Sequence, residues 1–305
     1  MQKNARIAIA CVCGVVLLYI VAILALHFGQ KAHDRLAFSP EAAFPKDKAF
    51  IPGEVLATTL EAVMTQELDS VFGWRPNDFF LWGPGLWADN NANRQTGIIR
   101  AVRETARVMK DSLTKVSPNE YDPNLLEADT MFRNDENKLW FPSAESRFSK
   151  GADALEKYIQ GLRANPPTSR PLNQLNSELM KLFEAWTDLL GDGHASLYRS
   201  REPDGSPVHM WKTDDYFYQA QGYAHVMYYV MRAIDREYGD MLKESARALF
   251  PEVLDALKNA STLKPLIILD GSSDGVFANH RRNLDGYISE ARSKMFSLHE
   301  ELKSR

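Results

Sequence analysis

The residue with the clearest potential for chemistry is Glu145, which heads the run Glu145-Ser146-Arg147-Phe148. A carboxylic acid whose pKa is raised can protonate a glycosidic oxygen and so start glycoside cleavage. Glu145 follows Pro142 and Ser143, however, and this order predicts a place in the first turn of a helix. The helix dipole favours an acidic side chain there without any catalytic role. We expect that structural role and keep Glu145 as the single catalytic candidate.

The same run resembles the Glu-Ser-x-Phe signature at which lytic transglycosylases place their general acid. In that family the glutamate ends an apolar helix, and a Gly-Leu-Met-Gln type motif follows. Here Leu155-Glu156-Lys157-Tyr158 stands where that motif should be. A murein-acting glycan hydrolase or lytic transglycosylase-like enzyme using Glu145 is therefore the alternative function and not the first.

An aromatic segment from Gly73 to Asn91 is the best candidate for binding. It holds three of the six tryptophans, and Gly and Pro interrupt it, so it cannot form one helix. Tryptophan often dominates contact energy in ligand and partner sites. The candidate binding residues are Trp74, Arg75, Asn77, Asp78, Trp82 and Trp87. A structural clasp that buries the rings against helices is favoured, because large apolar rings usually belong to the core. A third alternative puts Trp82 and Trp87 in a membrane interface.

The other chemical signals point to no metal, cofactor or nucleic acid. His194 and His209 lack the companion spacing of zinc ligands, so we interpret them as surface or packing residues. The net charge of −4 gives no basic surface of the kind that binds nucleic acid.

These candidates are carried by a chain that begins with a long apolar stretch. Residues 7–28 contain no Lys, Arg, Asp or Glu, and as a helix they would span roughly 33 Å, enough for a hydrocarbon core of about 30 Å. The stretch is longer than the apolar region of a cleaved signal, so we expect a retained single-pass anchor. Lys3, Arg6 and the terminal amine precede it, whereas Lys31 and Arg35 follow it together with Asp34. This modest difference in charge favours a cytoplasmic N-terminus and a periplasmic main domain, or a lumenal one in a eukaryote. The remaining chain has no cysteine, which fits an oxidising compartment.

After this stretch, apolar residues recur at helical spacing in most of the chain. A long apolar helix is predicted over 214–238 and should lie at the centre of the domain. Another helix is predicted over 172–190 and should stop at Gly191-Asp192-Gly193. A helix over 96–116 carries four cations on one side, which could grip lipid headgroups but are more simply a solvated face: Arg100, Arg103, Arg107 and Lys110. The predicted fold class is all-α, with one N-terminal transmembrane helix and a helical-bundle-like soluble domain.

The domain organisation follows from composition. Residues 1–28 form the cytoplasmic stub and anchor, and residues 29–52, with three prolines and no apolar period, are predicted to be a tether. Residues 53–305 form the helical domain, and the proline-rich stretch at 164–171 is a candidate internal boundary.

The runs GWRPNDFFLW and DGVFANHRRNLDGYISEARSKM resemble the uncharacterised bacterial family catalogued as domain of unknown function 2333. The resemblance implies a proteobacterial inner-membrane protein and supplies no activity, cofactor or catalytic residue. With no coherent catalytic constellation in view, we predict a non-enzymatic docking or scaffold protein of the envelope. Its expected partners are the membrane and either another envelope protein or a second copy of the chain.

Overall fold

The computed structural model describes residues 2–32, 35–70, 73–78, 89–114, 120–265, 268–271 and 278–303. In these residues the fold is all-α, as the periodicity predicts, and no strand forms. The ten helices are α1 (Gln2–Ala32), α2 (Pro40–Ala43), α3 (Glu54–Leu68), α4 (Asn90–Val108, extended by a π-helical turn over Met109–Leu113), α5 (Pro123–Phe132), α6 (Ala144–Arg163), α7 (Asn176–Tyr198), α8 (Met210–Tyr238), α9 (Glu244–Thr262) and α10 (His280–Lys303).

Helix α8 is the centre of the domain. It packs against α2, α3, α4, α7, α9 and α10. Apolar and aromatic side chains occur on almost all its sides, which is typical of a helix covered all round. Phe217, Tyr223, Met227 and Val230 are fully or almost fully buried. The predicted central helix is therefore confirmed, although it begins at Met210 and not at Asp214.

Helices α3 and α6 pack against each other in opposite directions. An ion pair joins Glu54 at the start of α3 to Arg163 at the end of α6. At the other end of the pair, Trp74, which follows α3, meets Phe148 near the start of α6. This arrangement places the loop before α6 at the C-terminal end of α3.

The start of α3 is capped by a buried acid from α8. The Glu237 carboxylate accepts the N–H groups of Gly53, Val55 and Leu56, with N···O distances of 3.1, 2.6 and 3.0 Å to Oε1. These backbone donors have no partner inside α3 itself. Burial raises the pKa of Glu237 to about 7, even though the three donors favour its charged form.

Residues 35–52 differ from the predicted tether, because they are folded against the domain, and residues 29–32 belong to α1. Phe44 is buried, and the Arg236 guanidinium binds the carbonyl groups of Phe44, Pro45 and Lys48. Short helix α2 lies in this segment and begins at Pro40, a residue that suits a first helical position. The prolines mark turns and a helix start here, and not an extended spacer.

The segment 164–175 separates α6 from α7 but is tied to its surroundings. The Tyr158 hydroxyl donates to the carbonyl of Arg170 at 2.6 Å, and the Leu172 N–H donates to the carbonyl of Pro52 at 3.0 Å. Buried apolar residues on both sides of the segment belong to one hydrophobic cluster.

Helix α7 continues through the predicted stop at Gly191-Asp192-Gly193 and ends at Tyr198, so that boundary was wrong. Gly193 is buried where α7 meets α8, and a Cβ atom there would lie 3.5 Å from Tyr223 Cδ2. The glycine suits a close helix contact, and packing against α8 and α10 keeps the segment helical.

Helix α1 stands apart from this core. Residues 4–22 form a stretch with a mean hydropathy of 2.4, none of it buried, which is long and apolar enough to cross a membrane. A signal sequence near an N-terminus has the same properties.

Candidate functional site

Trp74, the first of the predicted binding residues, is buried. Its side chain is 1% exposed, and its ring meets Phe148 edge to face at a centroid distance of 4.9 Å. The indole N–H donates to the carbonyl of Glu136 at 2.9 Å. Trp74 therefore holds the loop between α5 and α6 against the core.

Arg75, Asn77 and Asp78 extend this support. Arg75 is buried, its guanidinium binds the Asp78 carboxylate, and its N–H donates to Gln95 Oε1 at 2.9 Å. The Asn77 amide donates to the carbonyl of Lys138 at 3.1 Å. Burial raises the pKa of Asp78, while Arg75 opposes the shift. These three side chains therefore make contacts within the domain.

Trp82 and Trp87, the other two predicted binding residues of the aromatic segment, lie outside the described residues.

Arg103 of α4 holds the same loop from another side. Its guanidinium donates to the carbonyl groups of Phe132 and Asn134 and pairs with the Glu136 carboxylate at 2.9 Å. We call Trp74, Asn77 and Arg103 the clasp. Between them, these three side chains bind alternate carbonyl groups along the loop, those of Phe132, Asn134, Glu136 and Lys138. The loop is thus fixed largely through its backbone.

The residues that follow these carbonyl groups are apolar and face outward. Leu139, Trp140 and Phe141 are 42%, 78% and 94% exposed, and we call these three residues the tip. Sequence reasoning missed the tip, because a short apolar run before a helix start looks like core. Its one signal is that the run stops at Pro142 and Ser143 and does not continue into the apolar face of α6.

The cationic side of α4 is paired within the domain. Arg107 binds Glu104 at 2.6 Å, and Lys110 binds Asp129 at the same distance. Burial opposes the charge on Lys110, but its hydrogen bonds to Asp129 and Asp111 raise its pKa overall. Each of these two cations therefore has an acidic partner within the domain.

Residues 1–191 and 172–304 match the family described as "Uncharacterized protein conserved in bacteria (DUF2333)". The chain belongs to this family. The match confirms the resemblance seen in the sequence and covers both α1 and the helical domain. No curated protein and no solved structure matches the chain.

Glu145 of this DUF2333 chain lies exposed in the first turn of α6. Ser143 caps the helix by accepting the N–H of Ser146 at 3.3 Å, and its hydroxyl donates to Glu145 at 3.2 Å. A general acid of glycoside cleavage needs a raised pKa, which burial in a groove would supply. The surroundings of Glu145 are those of an ordinary helix start.

His194 belongs to a polar cluster between α7 and α10. Its Nδ1 lies 2.6 Å from Asp285 and 3.1 Å from the Ser289 hydroxyl. A catalytic triad needs the acid and the nucleophile on opposite ring nitrogens, whereas here both face the same one. A shallow cavity of about 290 Å³ adjoins the cluster and is lined by Thr187, His194, Ser289, Arg292, Ser293 and Phe296.

Carboxyl groups with raised pKa values lie near the starts of α4 and α8. Burial raises the pKa of Asp89 to about 7, and the charges of Asp215 and Asp214 add to the shift. Burial also raises the pKa of Asp215 to about 6, although Asn93 donates to it at 2.7 Å. Within the described residues, no group of three or more His, Cys, Asp or Glu side chains is arranged to hold a metal.

Proposed function

We propose that this chain is a single-pass protein of the bacterial inner membrane whose helical domain lies in the periplasm and acts by docking, as a non-enzymatic scaffold. The apolar length of α1 supports retention as an anchor. The charges on its two sides, Lys3, Arg6 and the terminal amine before it against Lys31 and Arg35 with Asp34 after it, modestly favour a cytoplasmic N-terminus.

The observation that carries the docking role is the exposed tip on a fixed loop. Large aromatic side chains usually lie inside a protein, and exposed apolar groups in a cluster mark contact sites. The clasp orders the loop before any contact forms, which lowers the entropic cost of binding. Trp140 and Phe141 are thus presented as contact residues.

The hydrolase alternative has no comparable support. Glu145 is exposed at a helix start, and His194 cannot relay a proton between Asp285 and Ser289. We therefore expect no murein cleavage by the purified protein, and no change in any cellular phenotype from Glu145→Gln.

Topology is tested by fusing alkaline phosphatase, which is active only outside the cytoplasm, after Arg305. A reporter active only in the cytoplasm serves as the control. We expect phosphatase activity, with the intact mass of the membrane-extracted protein showing that α1 is retained. Activity of the cytoplasmic reporter alone would refute the compartment.

Docking is tested in cells with a photo-crosslinking phenylalanine at position 141. The matched control is position 296, an aromatic residue that is 58% exposed on α10. We expect adducts with another envelope component, protein or lipid, from 141 and not from 296. Equal labelling at both positions, or none, would refute a docking role for the tip.

A further inference from the structure

We infer that the tip inserts into the interface of the same bilayer that α1 crosses, so that the domain is held on the membrane at two points. The inference rests on the proposed function, because it requires α1 to be a retained span. It names the partner of the tip as the lipid surface.

The chain enters the domain at the C-terminal end of α3. The Gln66 side chain donates to the carbonyl of Arg35 at 2.9 Å and accepts the N–H of Ala37 at 2.7 Å. Leu36 N–H donates to the Tyr229 hydroxyl of α8 at 3.0 Å. The first folded residues after α1 are therefore fixed beside the last turn of α3.

The tip lies at the same end of the domain. Gln95 donates to Glu67, the neighbour of Gln66, at 3.1 Å and accepts the N–H of Arg75 at 2.9 Å. Trp74, next in the chain to Arg75, binds the tip-bearing loop at Glu136. A short series of hydrogen bonds thus connects the end of α3 to the loop.

The connection to α1 is too short to lift this end away from the bilayer. Arg35 follows Ala32 by three residues, which span at most about 11 Å. The 31 residues of α1 extend over roughly 46 Å, close to the 40–45 Å of a bilayer with its headgroups. The domain end that carries the tip is therefore held near the headgroup region.

The chemistry of the tip suits an interface of lipid and water. Tryptophan is enriched there, and Phe and Leu can enter the acyl boundary. The surface area of these three side chains is much smaller than the roughly 800 Å² that each partner buries in a typical protein interface. Lys138 directly precedes the tip, and Asp135 and Glu145 lie four residues from its two ends. One cation and two acids give no net positive charge, so the contact with lipid should be mainly apolar and only weakly dependent on anionic headgroups.

The test uses the full chain in phosphatidylcholine nanodiscs, with Cys11 and Cys13 replaced by Ala. A polarity-sensitive fluorophore is attached at Phe141→Cys or, as the control, at Phe296→Cys. We expect a nitroxide on the lipid headgroup to quench the fluorophore at 141 at least about threefold more than at 296, as interfacial insertion of the tip requires. Adding anionic phosphatidylglycerol should change this ratio little.

Equal quenching at both positions would overturn the inference. If position 141 is then protected from a thiol reagent in cells, the tip meets a protein, and the docking function stands without the lipid contact. If position 141 instead reacts freely with the thiol reagent in cells, both proposals fail. Loss of α1 by cleavage, seen in the intact mass, would refute the anchored topology separately.

Discussion

A very close approach of two helices occurs at Gly97 of α4 and Gly222 of α8. A Cβ atom on Gly97 would lie 2.1 Å from the carbonyl oxygen of Gln219 and 3.1 Å from Gly222 Cα. A Cβ atom on Gly222 would lie 2.2 Å from the carbonyl oxygen of Arg94. These neighbours are backbone atoms, so no side-chain rotation can relieve the contact. We predict that Gly97→Ala forces the two helices apart.

The size of the effect follows from the distances. Carbon and oxygen atoms in such contacts normally lie about 3.3 Å apart, so the helices must separate by roughly 1 Å. Overpacking of a core costs about 1–3 kcal/mol or more, while alanine in a helix gains up to about 1 kcal/mol over glycine. The movement also strains the contacts that Arg94 makes with Glu67 and His225 across this region. We expect a net loss of about 2 kcal/mol in the free energy of unfolding.

The assay is urea unfolding of the full chain in detergent, followed by far-UV circular dichroism. Gly286→Ala is the matched control, because Gly286 lies within α10 and a Cβ atom there would meet nothing within 4 Å. We expect the control to be neutral or stabilised by up to about 1 kcal/mol. Equal stability of the two variants would refute the close crossing.

Three further predictions test the clasp, the buried acid and the segment after α1. Trp74→Phe should lower the free energy of unfolding by about 1–3 kcal/mol, because the Glu136 carbonyl loses its donor; an unchanged urea midpoint would contradict this. The raised pKa of Glu237 means that the native state binds its proton more tightly than the unfolded state. Stability should therefore fall as pH rises from about 4.5 to about 7, by an amount on the order of 3 kcal/mol, and Glu237→Gln should remove that part of the pH dependence in unfolding measured at about pH 5 and pH 8. Arg236→Ala should speed proteolysis near Phe44, since it removes the donor to three carbonyl groups; cleavage at the wild-type rate would show that the segment is held otherwise.

Much of the architecture follows from local pattern. The apolar length of α1, the helical periodicity and the all-round apolar character of α8 each depend on residues close together in the chain, so the sequence predicts them. The candidate site was predicted only in part. The aromatic segment 73–91 was predicted to be either a binding loop or a structural element with buried rings, but the surface that Trp74 and Asn77 support, the tip, was not predicted.

The errors have a common physical origin. Gly191 and Gly193 look like a helix stop, yet packing against α8 and α10 outweighs the low helix propensity of glycine. Residues 35–52 look like a tether, yet Arg236 and the core bind them. In both cases the deciding contacts come from residues distant in sequence.

Local sequence patterns are enough to predict the class of the protein: one apolar helix, then a cysteine-free helical domain. Which aromatic residues lie in the core and which lie on the surface depends on the packing of the folded chain. Trp74 and Trp140 are the same residue type, but one is 1% exposed and the other 78% exposed. Burial depends on which distant groups a fold brings to a side chain, here Phe148 and Glu136 to Trp74, and local sequence does not encode that difference.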